Sequence, residues 1–195
     1  MPHTLRLIGL TLLLALAGCG TPGGGAEEPL GDVAAAGEGA VNSADSYRLG
    51  QGDRIGIQVF DEPDLTMETR VGASGMINYS YLGNLQVTGK NTVELEQEIT
   101  RLLRDGYLVN PSVNVTILEY RPFFVNGEVR NPGSYSYQPG LTLGKAIALA
   151  GGLTDRASNR KMFVTNVRSP DRESRVDMSY RVAPGDVITI NEGFF

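Results

Sequence analysis

The sequence has few of the residue types that carry enzyme chemistry. Its 195 residues include one His, one Cys and no Trp. Because His3 and Cys19 both lie near the N-terminus, the remainder of the chain has no imidazole and no thiol. A His-based catalytic triad, a His metal site and an imidazole base are therefore excluded there. We expect no catalytic residue, no metal site and no cofactor, and the protein is predicted not to be an enzyme.

Long apolar runs are scarce as well. The longest, residues 7–17, has 11 residues even when Gly9 and Thr11 are counted with it. A helix that spans a bilayer needs about 20 predominantly apolar residues. The sequence therefore excludes a transporter with several membrane-spanning helices.

Residues 1–18 have the pattern of a secretory signal peptide. A polar start with His3 and Arg6 precedes the apolar run, and small residues lead to Cys19. Such a segment directs secretion and is removed from the mature protein, so it does not contribute to the fold. The letters LAGC at 16–19 resemble the bacterial lipobox, which implies that Cys19 is the lipid attachment site, with a diacylglyceryl group on its sulfur and an acyl group on its new amine. A plain secreted protein with a chance cysteine is the alternative.

The lipobox resemblance also implies a location. Several acyl chains anchor a protein firmly, whereas a single myristoyl chain does not. In such lipoproteins an Asp after the cysteine favours retention at the inner membrane, and here Gly20 follows. The expectation is a lipid-anchored protein of the outer membrane that faces the periplasm.

Residues 19–46 are predicted to be a flexible acidic tether. From residue 20 onward this segment has seven Gly, five acidic residues and no Lys or Arg. It cannot bury enough apolar surface to offset the entropy lost on ordering. As a flexible coil it would span roughly 30 Å. Residues 47–195 then carry a net charge of −1, which argues against a nucleic-acid partner.

One motif occurs twice in the remaining chain. Residues 47–57 read YRLGQGDRIGI and residues 180–190 read YRVAPGDVITI, so that Tyr, Arg, Gly, Asp and two Ile recur at the same spacing. Each copy predicts a tight Gly-Asp turn that leads into a half-buried strand. Asp53 and Asp186 are interpreted as turn residues and not as catalytic carboxylates.

Two helices are predicted between these turns. The first covers residues 91–104, with Asn91 and Glu94 as a capping box and Gly106 as the stop. The second covers residues 142–150 and ends at two Gly. Further strands are predicted at 71–79, 113–118, 123–129, 162–167 and 187–190. The expectation is an α+β protein with one helix in each of two modules, 47–120 (the first module) and 121–195 (the second module).

The order of these segments resembles the outer-membrane polysaccharide export family. The motifs YRLGQGD (47–53), LGNLQVTG (82–89) and NPSVNVTI (110–117) are similar to its polysaccharide biosynthesis/export domain, a mixed sheet with one helix. The motifs VNGEVRNPGSY (125–135), TLGKAIALAGGLT (142–154) and PGDVITI (184–190) are similar to its SLBB domain, a β-grasp. The resemblance implies a homo-oligomeric ring that guides an exported capsule or exopolysaccharide received from an inner-membrane copolymerase.

The sequence departs from the large capsule-exporting members of that family. Those members carry a C-terminal amphipathic helix that builds a pore, whereas residues 191–195 alone follow Ile190 here. Spanning about 30 Å of hydrocarbon takes about 20 helical residues. The sequence therefore resembles the short lipoprotein members, which are similar to the xanthan-type export component. The membrane crossing would fall to a separate outer-membrane β-barrel or to a helix of another chain.

A tethered periplasmic lipoprotein that binds a glycan or a protein without transporting it is the alternative function. Tyr79 and Tyr81, like Tyr135 and Tyr137, are two residues apart, so each pair would present two rings on one side of a strand. Sheet packing is the other interpretation of these tyrosines.

Two charged segments are candidate sites. Residues 61–65 read DEPDL, and their carboxylates could serve glycoside hydrolysis, but a Pro-containing solvated loop is the favoured interpretation. Residues 154–176 hold six basic residues against three acidic ones. Among them Arg156, Arg160 and Lys161 are candidate contacts for the polymer or a partner, with a solvated loop and strand edge as the alternative.

Overall fold

The structure, a computed structural model, describes residues 47–167 and 169–193. In this part of the chain ten strands form three sheets, and there are two α-helices. The predicted α+β class is therefore confirmed. Cys19 and the predicted segments 1–18 and 19–46 lie outside the described residues, as does Arg168.

The first module is built on an antiparallel sheet. Strands β1 (Arg54–Val59), β2 (Met67–Arg70) and β5 (Val113–Glu119) pair in the order β2–β1–β5. Along β1 the side chains alternate between buried and more exposed positions, as a half-buried strand requires. A separate hairpin of β3 (Met76–Tyr79) and β4 (Gly83–Gln86) packs its inner residues into the same core.

Helix α1 (Thr92–Arg104) begins at the predicted capping box. The Asn91 side chain accepts the backbone N–H of Glu94 at 2.7 Å, and the Glu94 carboxylate accepts the N–H of Asn91 at 3.0 Å. Leu95, Ile99 and Leu103 are fully buried, so one face of the helix faces the core beside β5. Burying such a side chain stabilises a fold by about 1.5–3 kcal/mol, which explains why this segment is helical.

The second module is one mixed sheet with a helix on one face. Its strand order is β7–β6–β10–β8–β9, in which only β6 and β10 run parallel. The strands are β6 (Phe123–Gly127), β7 (Gly133–Tyr135), β8 (Ala157–Asn166), β9 (Ser169–Arg175) and β10 (Val187–Glu192). Helix α2 (Leu143–Leu149) is capped by the Thr142 side chain and buries Leu143, Ala146 and Ile147.

The buried apolar side chains fall into two separate clusters. The first runs from Leu49 to Val115 and includes the inner face of α1. The second runs from Phe123 to Ile190 and includes the inner face of α2. Each helix therefore closes its own core, and the predicted boundary between residues 120 and 121 lies between the two clusters.

The predicted single strand at 71–79 is wrong. The chain instead ends β2 at Arg70, turns, and begins β3 at Met76. Gly75 has φ +76° and donates its N–H to the carbonyl of Gly72 at 2.9 Å, so a tight turn occupies the middle of the predicted strand. Glycine reaches this left-handed conformation without the steric cost that a side chain adds.

Two further expectations need correction. Tyr79 and Tyr81 do not share a strand face, because Tyr79 is buried in β3 while Tyr81 follows the strand with φ +65° and is 68% exposed. The strand predicted at 162–167 is present but begins earlier, since β8 covers Ala157–Asn166. The polar segment Ser169–Arg175 is β9, an edge strand with an almost wholly exposed surface. Strands β2, β4, β7 and β9 were not predicted.

Candidate functional site at the junction of the two modules

The first Gly-Asp turn is held by one buried carboxylate. Oδ2 of Asp53 accepts the Tyr47 hydroxyl at 2.7 Å and the backbone N–H of Gly50 at 2.7 Å. The backbone N–H of Asp53 donates to the carbonyl of Gly50 at 3.2 Å. Asp53 is 0% exposed. Aspartate is usually exposed to solvent, but this carboxylate is buried and connects Tyr47 and Gly50 by hydrogen bonds.

The second turn repeats this arrangement. Oδ2 of Asp186 accepts the Tyr180 hydroxyl at 3.0 Å and the N–H of Ala183 at 2.8 Å. The N–H of Asp186 donates to the carbonyl of Ala183 at 3.1 Å. The equal spacing of Tyr and Asp in both copies therefore has a physical cause: each tyrosine hydroxyl reaches the carboxylate six residues further on.

Glycine before each Asp is required by the backbone. Gly52 and Gly185 have φ +91° and +86°, a region that other residues rarely adopt. Space is also limiting, since a Cβ on Gly185 would lie 2.8 Å from Nε of Arg121. A Cβ on Gly50 would lie 1.7 Å from Nη1 of the same side chain. Arg121 is thus packed against glycines of both turns.

Arg121 connects the two turns. Its backbone N–H donates to Oδ1 of Asp53 at 2.8 Å, and its Nη1 lies 3.4 Å from Oδ2 of the same carboxylate. Its Nε donates to the carbonyl of Pro184 at 3.0 Å. The buried carboxylate of the first turn therefore accepts four hydrogen bonds, and two of them come from the first residue of the second module.

Three tyrosine rings also cross the junction. The rings of Tyr47 and Tyr120 meet edge to face at 5.0 Å between centroids, and those of Tyr120 and Tyr137 at 5.2 Å. The Arg121 guanidinium lies 5.8 Å from the centroid of the Tyr47 ring. Such aromatic pairs contribute about 0.5–1.5 kcal/mol each beyond their buried area, so they help to hold the modules together.

Burial at the junction shifts the acidities of its groups. It raises the pKa of Tyr47 and of Tyr180, and the Asp53 and Asp186 carboxylates raise them further, so both hydroxyls stay protonated and donate. Burial also raises the pKa of the Asp186 carboxyl, although the Ala183 N–H, the Tyr180 hydroxyl and the Arg121 charge act in the opposite direction.

A cavity of about 610 Å³ lies beside the two turns. Asp186, Arg121 and Asn166 contribute polar groups to its wall. Phe124 and Val167 contribute apolar surface and are 41% and 56% exposed. Apolar packing therefore does not fill the junction, and the cavity has the mixed lining that small-molecule sites usually have.

The candidate contacts Arg156, Arg160 and Lys161 lie around the start of β8. Two of them, Arg156 and Lys161, bind Glu192. Arg156 forms an ion pair with the Glu192 carboxylate. The Nζ of Lys161 donates to the Glu192 carbonyl at 3.2 Å. Arg160 is exposed, with its backbone N–H bonded to Ser158. None of these residues lines the junction cavity.

The carboxylates of residues 61–65 lie at and before a short 3-10 turn, Pro63–Leu65. Asp64 is on this turn and Asp61 precedes it, and both are exposed. Among the described residues, no group of three or more His, Cys, Asp and Glu side chains is placed to hold a metal ion. In the same part of the chain, no helix combines the length and the apolar character needed to cross a membrane.

Sequence reasoning missed the junction. It noted both Gly-Asp turns but gave their tyrosines and aspartates no shared role, and it did not single out Arg121. The signal that was available is the recurrence of Tyr and Asp six residues apart in both motifs. Nothing in the sequence signals Arg121, because its partner Asp53 is 68 residues away.

The chain is similar to known proteins over most of its described length. The family model "Polysaccharide biosynthesis/export protein" matches residues 41–118, and the SLBB domain model matches residues 122–177. Together these matches cover more than half of the chain. They follow one another in the same order as the two buried clusters.

Curated relatives give the same result. The exopolysaccharide production protein ExoF of Rhizobium meliloti (strain 1021) is 35% identical over 150 residues, which is 71% of this chain and 35% of that protein. The EPS I polysaccharide export outer membrane protein EpsA of Ralstonia solanacearum is 31% identical over 149 residues, 63% of this chain and 39% of that protein. The chain thus spans little more than a third of the length of these relatives. It belongs to the polysaccharide biosynthesis/export protein family, with an SLBB domain after the export domain.

Proposed function

We propose that the chain is a component of a polysaccharide export apparatus, in which modules 47–120 and 121–195 form the periplasmic part of an oligomeric conduit. The observation that carries this proposal is the match of both family models in order. The names of the relatives, one an exopolysaccharide production protein and another a polysaccharide export outer membrane protein, support it. We propose a transport role and no enzymatic activity.

Deletion of the gene tests the transport role. The expected result is loss of surface polymer with polymer trapped in the periplasm, reversed by the wild-type gene. Normal surface polymer in the deletion strain would instead favour the alternative function, a tethered periplasmic lipoprotein that binds a glycan or a protein.

We further propose that Cys19 carries the lipid anchor and holds the protein at the outer membrane, facing the periplasm. The LAGC letters at 16–19 support this, and several acyl chains would make the anchoring stable. Intact-mass measurement of the wild-type protein should show the acyl groups, and the Cys19→Ser variant should appear without them and outside the outer-membrane fraction. An unacylated wild-type protein would contradict the anchor.

The proposed assembly is a closed homo-oligomeric ring that receives polymer from an inner-membrane copolymerase and relies on a separate membrane-spanning partner. A ring forms when one surface of each copy binds a different surface of the next copy and the rotation closes. A fixed arrangement of the two modules, such as Arg121 provides, supports such repeated contacts. Particles purified in detergent that are only monomeric, with and without the copolymerase, would count against the ring.

Arg156, Arg160 and Lys161 are proposed as contacts of the second module with the polymer or a partner. A variant with Arg160→Glu and Lys161→Glu should reduce export, because it reverses the local charge. The matched control carries Arg101→Glu and Arg104→Glu in the last turn of α1, on exposed positions of the first module. Equal export by both variants would remove this contact from the proposal.

A further inference from the structure

One acceptor oxygen in the junction accepts no hydrogen bond from the residues that the structure describes. Asp186 is 1% exposed, and both of its side-chain hydrogen bonds end on Oδ2. Within the described residues Oδ1 accepts no hydrogen bond. The same oxygen of Asp53, in the first copy of the turn, accepts the Arg121 N–H. Comparison of the two copies therefore indicates that Oδ1 of the turn aspartate is a position for a hydrogen-bond donor.

The free oxygen is not fully enclosed, and its residue lines the junction cavity. Among the described side chains no fully enclosed oxygen or nitrogen lacks a partner, so Oδ1 of Asp186 retains access to solvent. Asp186 is otherwise buried, and it lines the cavity. A ligand hydroxyl in the cavity that donates to Oδ1 would take the place of the solvent that reaches this oxygen.

The remaining groups around the cavity limit the class of ligand. Phe124 is 41% exposed and lines the cavity with Asp186, and its backbone N–H donates to the backbone carbonyl of Asp186 at 2.9 Å. Nη2 of Arg121 and the side-chain nitrogen of Asn166 make no hydrogen bond within the described residues and supply donors. The wall thus offers an apolar ring face, one anionic acceptor and planar donors.

We propose that this cavity binds sugar rings of a neutral saccharide chain, with Oδ1 of Asp186 accepting a hydroxyl and the Phe124 ring covering the C–H face of the sugar. A sugar hydroxyl both donates and accepts, which suits a wall with both kinds of group, and a ring without charge avoids repulsion with Asp186. The volume of about 610 Å³ falls within the range of about 300–1,000 Å³ that is usual for such sites. The choice of a saccharide rests on the proposed export function.

Calorimetric titration of the full chain in lipid nanodiscs tests this site. The probes are cellotetraose, maltotetraose and laminaritetraose, with tetragalacturonate as the anionic comparison. At least one neutral probe should bind with a Kd below about 10 mM, and the uronate should bind more weakly. Asp186→Asn should weaken binding about tenfold, since a charge-assisted hydrogen bond is roughly twice as strong as a neutral one. Phe124→Leu, at a partly exposed position, should also weaken it.

Matched controls make the same chemical changes outside the cavity. Asp64→Asn and Phe60→Leu alter exposed residues of the first module and should leave affinity unchanged. The site is refuted if no neutral probe binds, if the uronate binds most tightly, or if both cavity variants bind as tightly as the controls. Reduced self-association of Asp186→Asn without any sugar binding would also refute it and assign the oxygen to a second copy of the chain.

The titration tests the binding site and the deletion strain tests the export function, so a negative result in one can be distinguished from a negative result in the other. Binding with normal surface polymer in the deletion strain would keep the site and remove the export function. Trapped polymer without binding would keep the export function and remove the site.

Discussion

The two Gly-Asp turns have the same internal hydrogen bonds and different surroundings. In both, a tyrosine hydroxyl and a backbone N–H reach one carboxylate oxygen. The second oxygen of Asp53 accepts the backbone N–H of Arg121, the first residue of the second module. The second oxygen of Asp186 accepts no hydrogen bond within the described residues, and Asp186 lines a cavity. A repeated sequence can thus specify one local turn twice, while the long-range partner decides whether the turn joins two modules or leaves a place for a ligand.

The largest expected difference lies between the two aspartates. Asp53→Ala should lower the free energy of unfolding by about 3–5 kcal/mol, because it removes four hydrogen bonds and leaves the Arg121 charge without its partner. Asp186→Ala should cost about 1–3 kcal/mol, because it removes two. Urea unfolding of the full chain measures both. An equal or larger loss at Asp186 would contradict the comparison.

The next largest loss of stability is expected when the Arg121 side chain, which connects the two turns, is replaced. Arg121→Gln keeps the backbone N–H that donates to Asp53 but loses the guanidinium, and should cost about 1–3 kcal/mol. Hydrogen exchange should become faster at residues 49–53 and 183–186. Arg54→Gln is the control, because its ion pair with Glu68 is exposed and within one module, and it should cost less than about 1 kcal/mol. Unchanged exchange in Arg121→Gln would show that the guanidinium is not needed and that the backbone N–H of residue 121 and the tyrosine rings hold the junction.

Local features of the fold were predictable from the sequence, since neighbouring residues decide them. Helix α1 follows from the Asn91 and Glu94 capping box and from an apolar face that repeats with the helical period. Both Gly-Asp turns follow from residues within one short segment. The two family models match the chain in the same order as the motifs quoted from its sequence.

Features that depend on distant residues were not predictable. The strand expected at 71–79 satisfied the apolar pattern, but Gly75 adopts a left-handed conformation and breaks it. Strand β9 has almost no apolar residue, and it is a strand because β8 offers an edge to pair with. Arg121 gains its role from Asp53 and Pro184, which are 68 and 63 residues away.

The tyrosine hydroxyls should contribute less than the charged groups. Tyr47→Phe and Tyr180→Phe should each cost about 1 kcal/mol, because each removes one hydrogen bond to a buried carboxylate. Burial and the carboxylates raise the pKa of both tyrosines above 10.0. Folding therefore favours the protonated hydroxyls, and the stability that they contribute should be lost as pH rises beyond that value. Each Phe variant should show a shallower decline in alkaline unfolding, and an unchanged decline would count against these hydrogen bonds.

The smallest expected effect is the pH dependence that Asp186 gives to stability. Burial raises the pKa of its carboxyl above 3.8, so the folded state favours the protonated form. The contribution is present below that ordinary value and is lost as pH rises through the folded pKa, by about 1.4 kcal/mol for each unit of difference. The Ala183 N–H, the Tyr180 hydroxyl and the Arg121 charge act against burial. Relative to Asp186→Asn, the wild-type protein should therefore lose stability as pH rises above the ordinary value of 3.8 towards neutrality. Urea unfolding across this range checks the sign, and a wild-type protein that gains stability relative to the variant would show that the Arg121 charge outweighs burial at the second turn.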